Sequence, residues 1–432
     1  MNPESTDADS AAGRNAIDRF FAELGPGLIT GCADDDPSGI STYSMAGALF
    51  GYRFLWSAIL TLPLMVTLQT MCGRLGMVSG RGLAGVVRKR YSRSVLWAAC
   101  SLLVVANVFN IGADLGGMGA ATELATGIPA LFWTPIYAAA IAGFLVYSSY
   151  RQIARIFKWI TLVLLAYVAT AFFAKVDWGL ALASTFQPRP VWSRDYLEVL
   201  VGILGTTISP YMFFWQASQE VEEKRAAGKT KLAQRRGASN RDLRRLRVDV
   251  WSGMFASNFI MFFIILTTAA TLHAHGKLHI ATAREAAMAL RPVAGNAAYL
   301  LFTLGLIGTG MLGVPVLAGS CAYAVSEAAA WQGSLDARPR SARYFYGVIA
   351  AAMAIGLAVN WAGLDAVKML FWSAVLNGVL APPLIFLVLL LTNDRKVMGD
   401  RVNSRLQQWC GWASFAIMAA SAIALIVCSF GK

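Results

Sequence analysis

Charge is the scarcest ingredient of this 432-residue chain: 14% of its residues are Asp, Glu, Lys or Arg, and 57% are hydrophobic. A soluble domain carries roughly 25% charged residues, so the shortage excludes an ordinary soluble globule and leaves a polytopic membrane protein. Histidine is rarer still, with His273, His275 and His279 all in "HAHGKLH". The cysteines Cys32, Cys72, Cys100, Cys321, Cys410 and Cys428 make no Cys-x-x-Cys pair and lack the spacing of a disulfide-framed secreted domain. Each lies in or beside an apolar run and reads as a small buried hydrophobe. A cleavable signal is missing too; residues 1–23 are polar and mixed in charge, and read as a cytoplasmic tail.

What is abundant is positive charge, +13 net, but its distribution excludes nucleic acid as the partner. Lys and Arg sit in short loops between apolar runs, the orientation signal of a membrane protein. Runs of about 20 apolar residues suffice to span the hydrocarbon, and they recur at 24–49, 54–79, 95–123, 131–149, 153–174, 196–219, 250–272, 297–325, 344–362, 366–391 and 408–430. Basic clusters follow alternate spans: Arg81 to Arg93 after the second, Arg151 and Arg155 after the fourth, Lys224 to Arg247 after the sixth, Arg338 to Arg343 after the eighth, and Arg395 to Arg405 after the tenth. The positive-inside rule puts the N-terminus in the cytoplasm and the C-terminus outside, with a bacterial inner membrane as the expected home. The long basic loop also suits anionic lipid headgroups.

Two spans cannot be plain helices. The first contains "ADDDPSG", with Asp34, Asp35, Asp36, Pro37 and Gly39; the sixth contains "GTTISPY", with Thr206, Ser209, Pro210 and Tyr211. Proline removes a backbone donor and clashes with the preceding turn, and irregular backbone at mid-depth survives only where it is protein-buried or lines a wet cavity. The breaks fall in spans one and six, so five spans separate the candidate halves, and five is odd. The second half therefore enters the membrane inverted, the repeat pattern in which broken helices meet at a midplane substrate site. The expected core is 24–391, made of a repeat 24–174 and an inverted repeat 196–391, with an additional helix at 408–430. Three carboxylates inside the membrane, each costing about 2.5–3.5 kcal/mol on insertion scales, mark a functional site and make its cargo a cation. Hard divalent ions prefer oxygen ligands. Adjacent helical residues point about 100° apart, so Asp36 at the break is the expected ligand, and Asp34 and Asp35 line the approach.

At these residues the chain resembles the NRAMP family of divalent-metal transporters, over most of its length. "GPGLITG", the aspartate-proline turn and "AGALFGY" are similar to that family's first span, "NIGADLGGMGAA" to its third, and "TTISPYMFFWQ" to its metal-binding sixth. The resemblance implies the LeuT-type fold: all-α, two inverted five-helix repeats, about eleven transmembrane helices with helices 1 and 6 broken, and alternating access to a metal held between the breaks. It implies a metal site of Asp36, Gly39, Thr206 and Ser209, a pathway including Asp34, Asp35, Tyr211, Gln216 and Asn377, and a proton path through Asp114. No resident cofactor is implied; the divalent ion is cargo, and protons and membrane lipids are the other partners.

The family's DPGN motif reads "DPSG" here, so Gly39 stands where the ligating Asn would be. Thr206, Ser209 and Tyr211 occupy the family's Ala, Met and His positions, and of its paired third-span acids Asp114 remains while Gly117 replaces the other. Without the thioether, which favours soft transition metals, and with more room beside Gly39, the site is expected to take Mg²⁺ or Mn²⁺, like the NRAMP-related magnesium transporters. Tyrosine titrates near pH 10, so proton coupling is expected to be weak or altered. Two rivals are an amino-acid transporter of the same fold, whose carboxylate the aspartates would repel, and a Mg²⁺-diphosphate enzyme such as a prenyltransferase. The enzyme would need a second Asp-rich cluster, and after Asp36 the clear mid-span acid is Asp114.

Overall fold

The computed structural model describes residues 26–147, 162–280 and 282–430. The tail 1–23, Arg151, Arg155 and the start of the fifth span lie outside the described residues. The first span is interrupted: α1 (Pro26–Asp34) ends, Asp35 and Asp36 leave the helix, and α2 (Pro37–Phe50) resumes. Then come α3 (Trp56–Ser79), α4 (Leu83–Arg90), α5 (Arg93–Thr126), α6 (Ala130–Tyr147), α7 (Leu165–Phe173) and α8 (Trp178–Phe186). The sixth span is interrupted in the same way, α9 (Arg194–Thr207) giving way at Ile208 and Ser209 to α10 (Pro210–Ala226). The chain continues through α11 (Asn240–Thr271), α12 (Ala298–Ala329), α13 (Arg343–Val359), α14 (Ala366–Asn393) and α15 (Arg405–Phe430).

Among the described residues nine helical stretches are long and apolar enough to cross a membrane, the bipartite sixth span included. The first span, with three consecutive aspartates at its break, is not among them. Observed limits follow the apolar runs within a few residues except around the sixth-to-seventh loop. There α10 continues to Ala226 and α11 begins at Asn240 rather than near 250. Ser239 and Asp242 form a reciprocal capping box, Ser239 N–H to Asp242 Oδ2 at 2.9 Å and Asp242 N–H to Ser239 Oγ at 3.1 Å. Leu246 and Val250 then keep a buried stripe through the arginine-rich stretch. Much of the basic loop is therefore helix. The short helix α4 was also hidden in the basic second-to-third connection, where Leu83, Val86 and Val87 are buried.

The helices form two groups. α1, α2, α3, α10 and α11, the first, second, sixth and seventh spans, pack on one another, while α5, α6, α12 and α13 form a second set. Small residues permit the closest crossings: a Cβ on Gly31 of α1 would overlap the backbone of Gly253 on α11, and one on Gly205 of α9 would overlap α14 at Ala374 and Gly378. The polar residues Thr42, Thr268 and Asn258 bond to Ser38, Ile264 and Met254 carbonyls of their own helices, and Thr267 bonds to the Tyr167 carbonyl. Cys72, Cys100 and Cys321 are buried as expected; Cys410 is half-buried and Cys428 exposed, because α15 lies at the edge of the assembly.

The basic connections converge on one face. Lys224 Nζ on α10 donates to the carbonyls of Met77 (2.6 Å), Arg235 (2.8 Å) and Gly237 (2.5 Å), and Gly237 N–H bonds to Val78 at 3.0 Å. Arg90 pairs with Asp394, and Arg401 bonds to Asn240 at 2.6 Å. On the same face Glu327 of α12 caps α4 from outside its own sequence, accepting the Gly82 and Gly85 N–H groups at 2.8 Å each. Gly80, in the left-handed region at φ 67°, ends α3. At the opposite end His273 bonds through Nδ1 to the Ala48 carbonyl (2.8 Å) and His275 to the Thr271 carbonyl (2.6 Å), so both are engaged with backbone.

Candidate metal centre at the two helix breaks

Asp36 is the N-cap of α2. Its Oδ1 accepts from Gly39 N–H and Ser38 Oγ, each at 2.8 Å, and its Oδ2 accepts from Asn110 Nδ2 of α5 at 3.0 Å. A carboxylate at this position satisfies donors that a helix start leaves open, and Pro37 at N1 has no N–H to satisfy. The sequence thus builds the break and its charge together.

Asp34 and Asp35 turn towards α11. Ser257 Oγ lies 2.7 Å from Asp34 Oδ2 and 3.1 Å from Asp35 Oδ1. One hydroxyl carries one proton, so it serves one carboxylate at a time. Asp34 Oδ1 has no hydrogen-bond partner among the described residues. Asp114 on α5 is fully buried, and neither of its oxygens meets hydrogen-bond geometry with a described residue. Gly313 of α12 marks where these groups meet: a Cβ there would stand 3.1 Å from Asp36 Cβ, 3.7 Å from the Ala33 carbonyl oxygen and 3.9 Å from Asp114 Oδ2.

The second break contributes neutral oxygens. Ser209 Oγ lies 2.6 Å from the Gly205 carbonyl and 2.8 Å from that of Thr206, tying off the end of α9. Tyr211 donates its hydroxyl to the Ala33 carbonyl at 3.1 Å, so the sixth span caps the broken end of the first. Thr206 faces Gly39, its Oγ1 only 3.0 Å from where a Cβ on Gly39 would stand.

That contact corrects one expectation. The space beside Gly39 is filled by Thr206 Oγ1, the Asp34 carbonyl at 3.3 Å and the Tyr43 ring at 3.4 Å from the Cβ position. Losing the Asn side chain has not widened the site; neighbours have closed in. Gly117 shows the same replacement, with a Leu370 methyl 2.8 Å from the position of a Cβ.

Gln216 bridges the end of the site nearer the basic face, accepting from Thr30 Oγ1 of α1 and donating to Glu220 Oε1, both at 2.9 Å. Below it, Glu220, Glu223, Asp242, Asp249, Lys224 and Arg245 line a cavity of about 190 Å³, and Asp249 Oδ2 accepts the Gly27 N–H at 2.6 Å. Asn377 on α14 is buried with neither side-chain polar atom bonded among the described residues. The site residues around the breaks are almost wholly shielded from solvent.

Asn110, Ser257 and Asp249 were not picked out from the sequence. Asn110 had a signal: it lies one turn before Asp114, on the same helix face. Asp249 was hidden by starting the seventh span too late.

Among the described residues no three carboxylate, imidazole or thiol groups form a ready metal cage. Two helices interrupted face to face, with buried carboxylates at the junction and a bundle of spans packed around them, define a membrane transporter of the LeuT-type fold rather than an enzyme. Solved structures share that fold: a manganese transporter of Eremococcus coleocola, in complex with an aromatic bis-isothiourea substituted compound, superposes with a TM-score of 0.74 at 18% identity, covering 97% of this chain and 90% of its own. Mhp1, a nucleobase-cation-symport-1 family transporter, superposes at 0.61 with 16% identity, covering 94% and 90%.

The family model described as Natural resistance-associated macrophage protein-like matches residues 27–428, and the chain belongs to this Nramp family. Similar relatives are the divalent metal cation transporter MntH of Yersinia enterocolitica, 27% identical over 90% of each chain, and MntH 1 of Pseudomonas aeruginosa, 27% identical over 94% of this chain and 92% of its own.

Proposed function

We propose that this protein carries divalent metal cations across the membrane by alternating access, taking Mg²⁺ and Mn²⁺ in preference to soft transition metals and with proton coupling weak or altered. The observation that carries the reading is the convergence of buried carboxylates at the breaks, Asp36 and Asp114 around Gly313 with Asp34 and Asp35 adjacent. No basic side chain pairs with them among the described residues. Uncompensated buried charge is costly, and a dication offsets it. The proposed ligands are Asp36, Thr206, Ser209 and backbone oxygen at Gly39, with Asp34, Asp35, Tyr211, Gln216 and Asn377 along the pathway.

The choice of metal follows from donor type. Residues 33–39 and 206–211 hold neither sulfur nor imidazole, so the breaks offer oxygen, which suits hard ions that keep part of their hydration shell. The altered coupling rests on two residues. Tyr211 is committed to the Ala33 carbonyl, and Leu370 fills the space where a second acid on α5 would stand, leaving Asp114 as the third-span proton site beside the first-span aspartates. The first, second, sixth and seventh spans, drawn from both repeats 24–174 and 196–391, then rock against the third, fourth, eighth and ninth about this centre, with 408–430 alongside. The shared face of the basic connections supports a cytoplasmic N-terminus in a bacterial inner membrane.

Uptake into proteoliposomes with an internal pH reporter tests this. Wild type should accumulate Mn²⁺ and Mg²⁺ with the lumen near constant pH, and Asp36→Ala should accumulate neither. Cd²⁺ or Fe²⁺ uptake insensitive to excess Mg²⁺ would overturn the metal choice, metal-driven acidification would overturn the weak coupling, and competition by amino acids without competition by metals would overturn the whole reading.

A further inference from the structure

The third span contributes more to the site than its acid. Asn110 is fully buried, and its Nδ2 holds Asp36 Oδ2 at 3.0 Å while its own Oδ1 has no partner among the described residues. A buried carboxamide oxygen without a partner is costly in a static structure. It is also what a cation site needs.

Counting lone pairs locates the opening. An ionised carboxylate offers about four acceptor sites, two on each oxygen; Gly39 N–H and Ser38 Oγ engage Oδ1 of Asp36, the Ser38 backbone N–H also acts on the carboxylate, and Asn110 Nδ2 engages Oδ2. Oδ1 is the crowded oxygen, so the side open to an ion is Oδ2, the oxygen that Asn110 touches. An ion bound there meets the Asn110 carboxamide immediately beside it, with Asp114 one helical turn further along the same face of α5. Gly39 offers no side-chain oxygen, and the volume a longer residue would need is already occupied by Thr206, Asp34 and Tyr43.

We propose that Asn110 is a specificity-determining ligand of the transported cation, its Oδ1 supplying from the third span the neutral oxygen that no side chain at position 39 provides. The inference rests on the divalent-cation reading given above. It also gives the ion a bond to the α5, α12 group as well as to the helix that carries Asp36, so loading joins the two helix groups.

The test separates a ligand from a residue that merely donates to Asp36. Mn²⁺ and Mg²⁺ uptake is measured over a concentration series for wild type, Asn110→Ala, Asn110→Asp and Asp36→Ala in proteoliposomes, with thermal unfolding recorded with and without Mn²⁺. Asn110→Ala should raise KM about tenfold or more, the scale seen when an oriented group at a metal site is removed, and lose the Mn²⁺-induced rise in Tm, read against its own metal-free Tm. Asn110→Asp keeps an oxygen but loses the N–H donor, and should retain metal affinity better than Asn110→Ala. An Asn110→Ala with wild-type KM overturns the inference, as does an Asn110→Asp equal to or worse than Asn110→Ala. Should Asn110→Ala fail to fold, Asn110→Asp against wild type decides: a KM within about threefold supports the ligand role, since tenfold marks a lost group, and a larger rise overturns it. A wild type that carries no divalent cation at all brings down the proposed function itself; a wild type that carries it, with Asp36→Ala inactive and Asn110→Ala unchanged, brings down only this inference.

Discussion

At the first break one side chain both carries charge and starts a helix: Asp36 accepts from the α2 backbone and from Ser38, so its carboxylate is fixed before any ion arrives. At the second break Ser209 sits at the matching position, yet its hydroxyl turns back to the Gly205 and Thr206 carbonyls and α10 begins without a side-chain cap. The pseudo-symmetric positions therefore have opposite duties. The first supplies anionic oxygen on a rigid mount, and the second closes off surplus carbonyls and lends neutral oxygen. A dication needs both, because charge gives attraction and neutral donors complete the shell without further repulsion among the ligands.

The sharpest way to break that comparison is to neutralise each side in turn. Asp36→Asn should lower uptake by about 100-fold or more, comparable to losing a key charge-stabilising group, whereas Ser209→Ala should cost only a few-fold in rate and about 1 kcal/mol of stability; equal losses in a flux assay would mean the breaks are equivalent after all. Next comes Gly117→Glu, which forces a side chain into the Leu370 methyl groups. It should destabilise by about 1–3 kcal/mol through overpacking, with Leu370→Ala in the same chain recovering part of the loss in a thermal-unfolding assay. Ser257→Ala removes the one hydroxyl shared by Asp34 and Asp35 and should cost about 1 kcal/mol while leaving the Mg²⁺/Mn²⁺ ratio near wild type; a changed ratio would move those carboxylates into the binding shell.

The smallest effect belongs to the ion pair on the basic face. Asp394 is opposed by slight burial, but the Lys396 backbone N–H and the Arg90 guanidinium outweigh it and hold the carboxyl below its usual range. Its contribution is present above the unfolded carboxylate range and fades as pH falls through the lowered folded value. Asp394→Asn should therefore cost at most about 1 kcal/mol near neutral pH and progressively less in acid, as followed by thermal unfolding across pH.

Much of this was legible in the residues. Proline and glycine at mid-depth marked both breaks, beside aspartates in the first span and hydroxyl residues in the sixth, and apolar run length marked most spans to within a few residues. What could not be read was which neighbour occupies a vacated volume. A glycine in place of Asn or of an acid looks like added space in one dimension; only the packing reveals Thr206 and Tyr43 against Gly39, and Leu370 against Gly117. Asn110 stayed hidden for a related reason. A lone amide in an apolar span is usually helix-packing polarity, and its significance comes from the carboxylate opposite, 74 positions away in the chain.

The grip of Glu327 on Gly82 and Gly85 has a mechanical outcome. It rivets the amphipathic connector to the eighth span, although that connector is covalently the continuation of the second, whose end Lys224 lashes to the sixth. If the two helix groups tilt against each other as proposed, the mismatch would fall on the short strip from Gly80 to Gly82, where a left-handed glycine already turns the chain. Stiffening that strip should slow cycling without altering what the centre recognises.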